Sequence, residues 1–123
     1  MWENDEDMLK REAKMKFIKK CIEFGFKDCN TGFDVASISY FSLKDFYKIL
    51  ERCKQMDIGV FGIEPWPNGE FGDVKTKEDY NTHSKDETWW YAAIDSMVKA
   101  GIDHNYSCSY DVPEKCYWPI KED

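Results

Sequence analysis

Ile58-Gly59-Val60-Phe61-Gly62-Ile63-Glu64 is nearly all apolar, and it runs directly into Pro65-Trp66-Pro67-Asn68-Gly69 and then Glu70-Phe71-Gly72-Asp73-Val74. A short apolar run bounded by turn residues reads as a strand covered on at least one face, so residues 58–64 are expected at the centre of a sheet. Asn-Gly tolerates the positive φ angles of a tight hairpin turn. The two runs therefore predict a β-hairpin with its second strand over 70–74. Gly59 and Gly62 inside the first run mark a bulge or a close approach by packed chain.

Working outward, Ser42 is a good helix N-cap with Asp45 three residues on, and Leu43, Phe46, Tyr47, Leu50 and Cys53 form an apolar stripe over 43–56. Before it, Ala36, Ile38 and Tyr40 alternate with Ser37 and Ser39, which predicts a strand over 34–41. After the hairpin, Asp86 or Ser84 caps a helix over 86–100 that ends at Gly101. Trp90, Ala93, Ile94, Met97 and Val98 supply its apolar face. Three consecutive aromatics, Trp89-Trp90-Tyr91, cannot share one helix face, so Trp89 or Tyr91 is expected to be partly exposed. Tyr106, Cys108, Tyr110 and Val112 alternate along a last strand over 104–112. At the start, Met15, Ile18, Cys21 and Ile22 recur at helical spacing over 5–25, with acids in front, lysines behind and Gly25 as the stop. The tail Tyr117-Trp118-Pro119-Ile120 is aromatic enough to pack.

The order is thus a helix followed by βαββαβ. This is an α+β chain, and the pattern fits a ferredoxin-like antiparallel sheet with the two later helices on one face. The 123 residues suit a single domain spanning 1–123. With 42% apolar and 16% aromatic residues the chain can build a core, which excludes intrinsic disorder. No apolar run approaches the roughly 20 residues of a membrane-spanning helix. The acidic start Met1-Trp2-Glu3-Asn4-Asp5-Glu6-Asp7 lacks the basic and apolar regions of a secretory signal, which predicts a cytoplasmic protein. The five cysteines, Cys21, Cys29, Cys53, Cys108 and Cys116, are an odd number without Cys-x-x-Cys spacing, and so are expected as reduced thiols.

Little in the sequence points to catalysis. His83 and His104 are the only histidines, and no metal-binding signature accompanies them. No glycine-rich phosphate loop opens a helix, and no cofactor is expected. A Cys-His pair can be drawn many ways from five thiols and two histidines, so the pairing carries no information. Glu64 and Asp73 could oppose each other across the hairpin, but carboxylates are common here. The chain reads as a non-enzyme.

Charge is more informative. The net charge is -7. Residues 57–114 hold 12 acids and 4 bases, a balance of -8, whereas 1–27 are slightly basic. Acidity also keeps small proteins soluble, but a surface of this sign repels phosphate and attracts basic proteins. Nucleic acid and membrane are therefore not expected as direct partners. Trp66, between two prolines at the hairpin tip, has the rigidity and ring area of an interface anchor. Glu64, Trp66, Glu70, Asp73, Asp86 and Glu87 are the candidate partner-binding residues.

The run Tyr40-Phe-Ser-Leu-Lys-Asp-Phe-Tyr-Lys-Ile-Leu-Glu, then Ile58 to Glu64, then Trp66-Pro-Asn-Gly-Glu70, resembles small immunity proteins of bacterial polymorphic and contact-dependent growth-inhibition toxin systems. The resemblance covers about residues 40–100. It implies a cytoplasmic protein, monomeric when free, that binds and neutralises a cognate toxin domain, frequently a nuclease and hence basic. It implies no residue roles, because immunity interfaces differ from pair to pair. A small enzyme with a deep polar pocket and a self-associating adaptor module are the alternative expectations.

Overall fold

A computed structural model describes residues 4–34, 36–66, 74–100 and 104–120. The chain divides into two compact units, one of Phe26–Asp111 and one of the terminal segments up to Gly25 and from Val112. The larger unit is α+β.

Its sheet has four antiparallel strands: β1 (Phe41–Ser42), β2 (Gly59–Trp66), β3 (Lys75–Thr76) and β4 (Asn105–Asp111). Their order is β1-β4-β2-β3. The helices α2 (Leu43–Gln55) and α3 (Glu87–Val98) connect them. Each begins at the expected cap. Ser42 Oγ accepts from Asp45 N at 3.2 Å, and Asp86 Oδ1 accepts from Thr88 N at 3.0 Å.

The strand order corrects the ferredoxin-like expectation. A ferredoxin-like sheet places its first and third strands at the centre, whereas here β4 and β2 are central and β1 and β3 are edges. The reason is apolar content. The central pair runs from Gly59↔Asp111 to Trp66↔Asn105 and carries the buried Val60, Ile63, Tyr106 and Tyr110. The edges are two residues each, and of these four residues only Phe41 is buried.

The expected strand over 34–41 shrinks to Phe41–Ser42. Side chains take the place of a ladder there. Asp28 Oδ1 accepts from the backbone N–H groups of Asn30 (2.9 Å) and Tyr40 (3.0 Å). Asn30 Oδ1 accepts from Gly32 N, and its Nδ2 donates to the carbonyl of Ile38 at 2.8 Å. Short polar side chains that satisfy the backbone locally compete with strand pairing. The expected strand over 70–74 lies almost wholly outside the described residues, and β3 begins one residue after it. Pro65 and Trp66, expected in a turn, continue β2. Beyond Ile63 the partner of this strand among the described residues is β4.

The helices form one layer. The rings of Tyr47 and Tyr91 stack between α2 and α3 with centroids 6.1 Å apart, and Lys54 pairs with Glu87 at 3.1 Å. Phe46 of α2 stacks on Tyr106 of β4 at 5.6 Å. Both Trp89 and Trp90 are buried, and Tyr91 is the half-buried member of the trio. Trp90 Nε1 donates to the Ser84 carbonyl at 2.8 Å. That carbonyl also accepts from Val60 N, which ties the start of β2 to the loop before α3.

In the smaller unit, α1 (Asp5–Phe17) starts on Asn4, whose side chain accepts from Asp7 N at 2.7 Å. It widens into a π-helical turn over Ile18–Ile22, and Gly25 at φ 89° follows. Ile18 and Ile22 are buried, but Met15 and Cys21 of the expected stripe are exposed. Lys10 bridges to Glu114 at 3.1 Å and lies 5.7 Å from the Trp118 ring, so the tail packs along the helix. None of the five cysteines is in a disulfide. Among the described residues, no helix is long and apolar enough to cross a membrane.

Candidate functional site

Strand geometry makes the site. Successive side chains alternate between faces, so Val60, Ile63, Tyr106 and Tyr110 facing the helices send Glu64, Ser107 and Ser109 to the other side. Glu64 opposes Ser107, and Gly62 opposes Ser109. The register shift between Val60 and Gly62 is a β-bulge, which leaves the Phe61 side chain 40% exposed.

These residues floor a groove of about 350 Å³ on the sheet face opposite the helices. Ile38, Phe61 and Val74 give it apolar walls, and Thr76, Ser107 and Ser109 supply hydroxyls. Glu64 and Glu78 supply carboxylates, and among the described residues no basic side chain lines it. Gly62 is part of the floor. A Cβ there would sit 3.4 Å from the Lys75 carbonyl and 3.5 Å from Ser109 Oγ, so glycine keeps the floor open.

The Glu78 carboxyl is held in its charged form. Lys77 pairs with Glu78 at 2.9 Å from outside the groove and holds its carboxyl below the usual value, helped by the Glu78 backbone N–H and Thr76. Tyr40 is buried, and its hydroxyl donates to Asp34 Oδ2 at 2.7 Å. Burial first, then the Asp34 bond and the negative charge of Glu64, push the Tyr40 phenol far above its ordinary value. The hydroxyl therefore stays protonated as a donor.

Only some of the residues expected from the sequence meet here. Glu64 lies in the groove. Trp66, two residues along β2, is half-buried, stacked on Phe33 at 5.0 Å and edge-on to Tyr40 at 6.1 Å. Glu70 and Asp73 lie outside the described residues. Asp86 caps α3 and accepts from Thr82 Oγ1 at 2.8 Å. Thr82 and the Thr88 N–H hold its carboxyl below the usual range. Glu87 is engaged with Lys54. Ile38, Phe61, Glu78, Ser107 and Ser109 were not anticipated. Alternation from Tyr106 and Tyr110 would have placed the two serines on the outer face.

Comparison with known protein families, curated proteins and solved structures finds no match. The groove's chemistry must therefore be read from its own atoms. Among the described residues its lining includes no histidine, and Cys108 is its one thiol. Two carboxylates and three hydroxyls between apolar walls suit a positively charged group on an apolar stem, which is the shape of an arginine or lysine side chain.

Proposed function

We propose that this chain is an immunity protein, acting in the cytoplasm, that binds a cognate basic toxin domain and neutralises it. The observation that carries the reading is the groove on the outer sheet face, whose described lining holds Glu64 and Glu78 and no basic side chain, with Lys77 pairing Glu78 from beside it. It sits in the segment with a balance of 12 acids to 4 bases. A nuclease must present cations to hold phosphates, and carboxylates on a firm sheet can occupy those same positions. Association would be steered by charge over distances comparable to the Debye length, about 10 Å at moderate salt. The apolar walls around Phe61 and Val74 would then supply the short-range part of binding.

The test begins with co-purification from the source cell and mass spectrometry of what is retained. The retained partner is then produced alone, and its nuclease activity is titrated with this chain. Stoichiometric loss of activity is expected. A partner that is acidic, or whose activity the chain leaves unchanged, would overturn the proposal.

A further inference from the structure

The floor of the outer-face groove has a notch. Thr76, Gly62 and Ser109 stand in one row across β3, β2 and β4, and the middle residue has no side chain. A Cβ on Gly62 would meet the Lys75 carbonyl oxygen at 3.4 Å, Ser109 Oγ at 3.5 Å and the Thr76 methyl at 3.6 Å. The space left open is thus ringed by two oxygens and a methyl. Thr76 Oγ1 donates to Asp79 Oδ2 at 3.3 Å, so its methyl is what it offers the notch. Glu64 stands two residues along β2 on the same face, opposite Ser107. Ser107 lines the groove and is only 8% exposed, yet among the described residues its hydroxyl has no hydrogen-bond partner. A donor arriving in the groove would remove the cost of that unmade bond.

The chemistry selects a guanidinium. Lys77 offsets Glu78 from beside the groove at 2.9 Å, so the anchoring charge is that of Glu64. The Tyr40 phenol beside Glu64 is neutral and donates to Asp34 Oδ2 at 2.7 Å. A carboxylate offers about four lone-pair positions, so one neighbour does not exhaust it. The acceptors are spread along the sheet. Opposed residues lie about 5 Å apart and same-face neighbours on one strand about 7 Å apart. An ammonium is a point that reaches few of them at once, whereas a guanidinium carries five N–H donors in a planar fork. Its faces are weakly hydrated, so it can lie on backbone where a side chain is missing. The aliphatic stem of such a group needs apolar wall, and the exposed side chains of Phe61 and Val74 supply it. A second copy of this chain, itself at -7, is a poor source of the cation.

We propose that the groove is a receptor for one arginine side chain of the basic partner, with the guanidinium over Gly62, donating to Glu64, Ser107 and Ser109, and the stem along Phe61 and Val74. This rests on the reading of the chain as a binder of a basic toxin domain, and it adds the side chain which that domain must present.

The full chain, isotope-labelled and followed by amide NMR at low salt, is titrated with three probes: the Nα-acetyl amides of arginine, lysine and citrulline. Citrulline keeps the shape of arginine without the charge. Saturable shifts at Gly62, Glu64 and Ser107 are expected with arginine in the millimolar range, as suits a single side chain. Lysine should bind several-fold more weakly and citrulline not measurably. Gly62→Ala fills the notch at ordinary contact distances, so circular dichroism should show the fold retained while arginine binds about tenfold more weakly or worse. Glu64→Gln leaves the floor untouched and should weaken binding about as much. Arginine and lysine binding alike, no saturation, shifts that saturate outside the groove, or variants that bind like the parent would each overturn the proposal. A toxin domain neutralised by a chain whose groove is indifferent to arginine would sink this proposal and leave the proposed function standing. An arginine-selective groove in a chain that retains an acidic partner would do the reverse.

Discussion

The indole of Trp66 lies flat against the ring of Phe33, with centroids 5.0 Å apart and planes 15° apart. The stack joins the end of β2 to the loop before β1. Phe33 also tilts against Tyr40 at 5.2 Å, so three rings form a small aromatic cluster. Trp66 is thus partnered within its own chain. Trp66→Ala should lower stability by about 2 kcal/mol, less than for a fully buried tryptophan because the ring is half-buried. Urea unfolding followed by circular dichroism measures it. A variant as stable as the parent would mean that the ring is held only loosely.

Gly59 is fixed by a close approach. A Cβ there would lie 2.7 Å from Ser84 Cβ and 3.0 Å from the Ser84 carbonyl carbon, and it would also overlap Ser84 Oγ. The Ser84 backbone cannot retreat easily, because its carbonyl accepts from both Val60 and Trp90. Gly59→Ala should cost about 2 kcal/mol or more. Adding Ser84→Gly removes the side-chain part of the overlap and should recover part of that loss. Equal stability of Gly59→Ala and the parent in denaturant would refute this packing.

Part of the fold was legible from residues 58–64. Their apolar character correctly placed β2 inside the sheet, and that reading already conflicted with a ferredoxin-like order, in which the second strand is an edge. Weighing apolar content over chain order would have resolved the conflict. The loop before β1 was harder to read. Ala36, Ile38 and Tyr40 alternate as a strand should, but Asp28 and Asn30 capture the backbone through bonds that no periodicity reveals. For the site, type and position came apart. Glu64 was singled out as an acid flanking Trp66, and Asp86 for its charge as well as for the cap that its oxygens do make. Ser107 and Ser109 carry no charge signal, and only the register of β4 against β2 brings them beside Glu64.

Tyr40 predicts a response to alkaline pH. Its folded pKa is raised above the ordinary 10.0 by burial, by the bond to Asp34 and by Glu64. A group raised on folding stabilises the fold fully below its unfolded value and loses that contribution as pH climbs above it. Stability should therefore fall above about pH 10 more steeply in the parent than in Tyr40→Phe. Below that pH the variant should be less stable by about 1 kcal/mol through the lost hydrogen bond to Asp34. Thermal unfolding across pH 8 to about 11 distinguishes the two, and parallel curves would count against the effect.

Asp86 has the opposite sign. Thr82 and the Thr88 N–H lower its folded pKa below the ordinary 3.8, so its contribution is present above that value and fades as pH falls through the folded pKa. Asp86→Ala should be less stable than the parent at neutral pH, while Asp86→Asn keeps a capping oxygen and should lose less. If Asp86 serves only as a contact for a partner, both variants will unfold like the parent in urea.

The acids named from the sequence should separate once a basic partner is in hand. Glu64 lines the open groove beside Tyr40, and Glu87 pairs with Lys54. A carboxylate facing an approaching cation lowers the barrier to encounter, and one already neutralised by a lysine adds little to the field beyond its own pair. Glu64→Gln should therefore slow association on the order of a few-fold at low salt, with the difference shrinking as salt is added. Glu87→Gln should leave the association rate nearly unchanged and show its effect in stability instead. Phe61→Ala removes apolar wall rather than charge, so it should speed dissociation at every salt concentration. Surface plasmon resonance at two ionic strengths reads all three. If Glu87→Gln slows association more than Glu64→Gln, the partner approaches the α3 end of the sheet, and the groove is not where it docks.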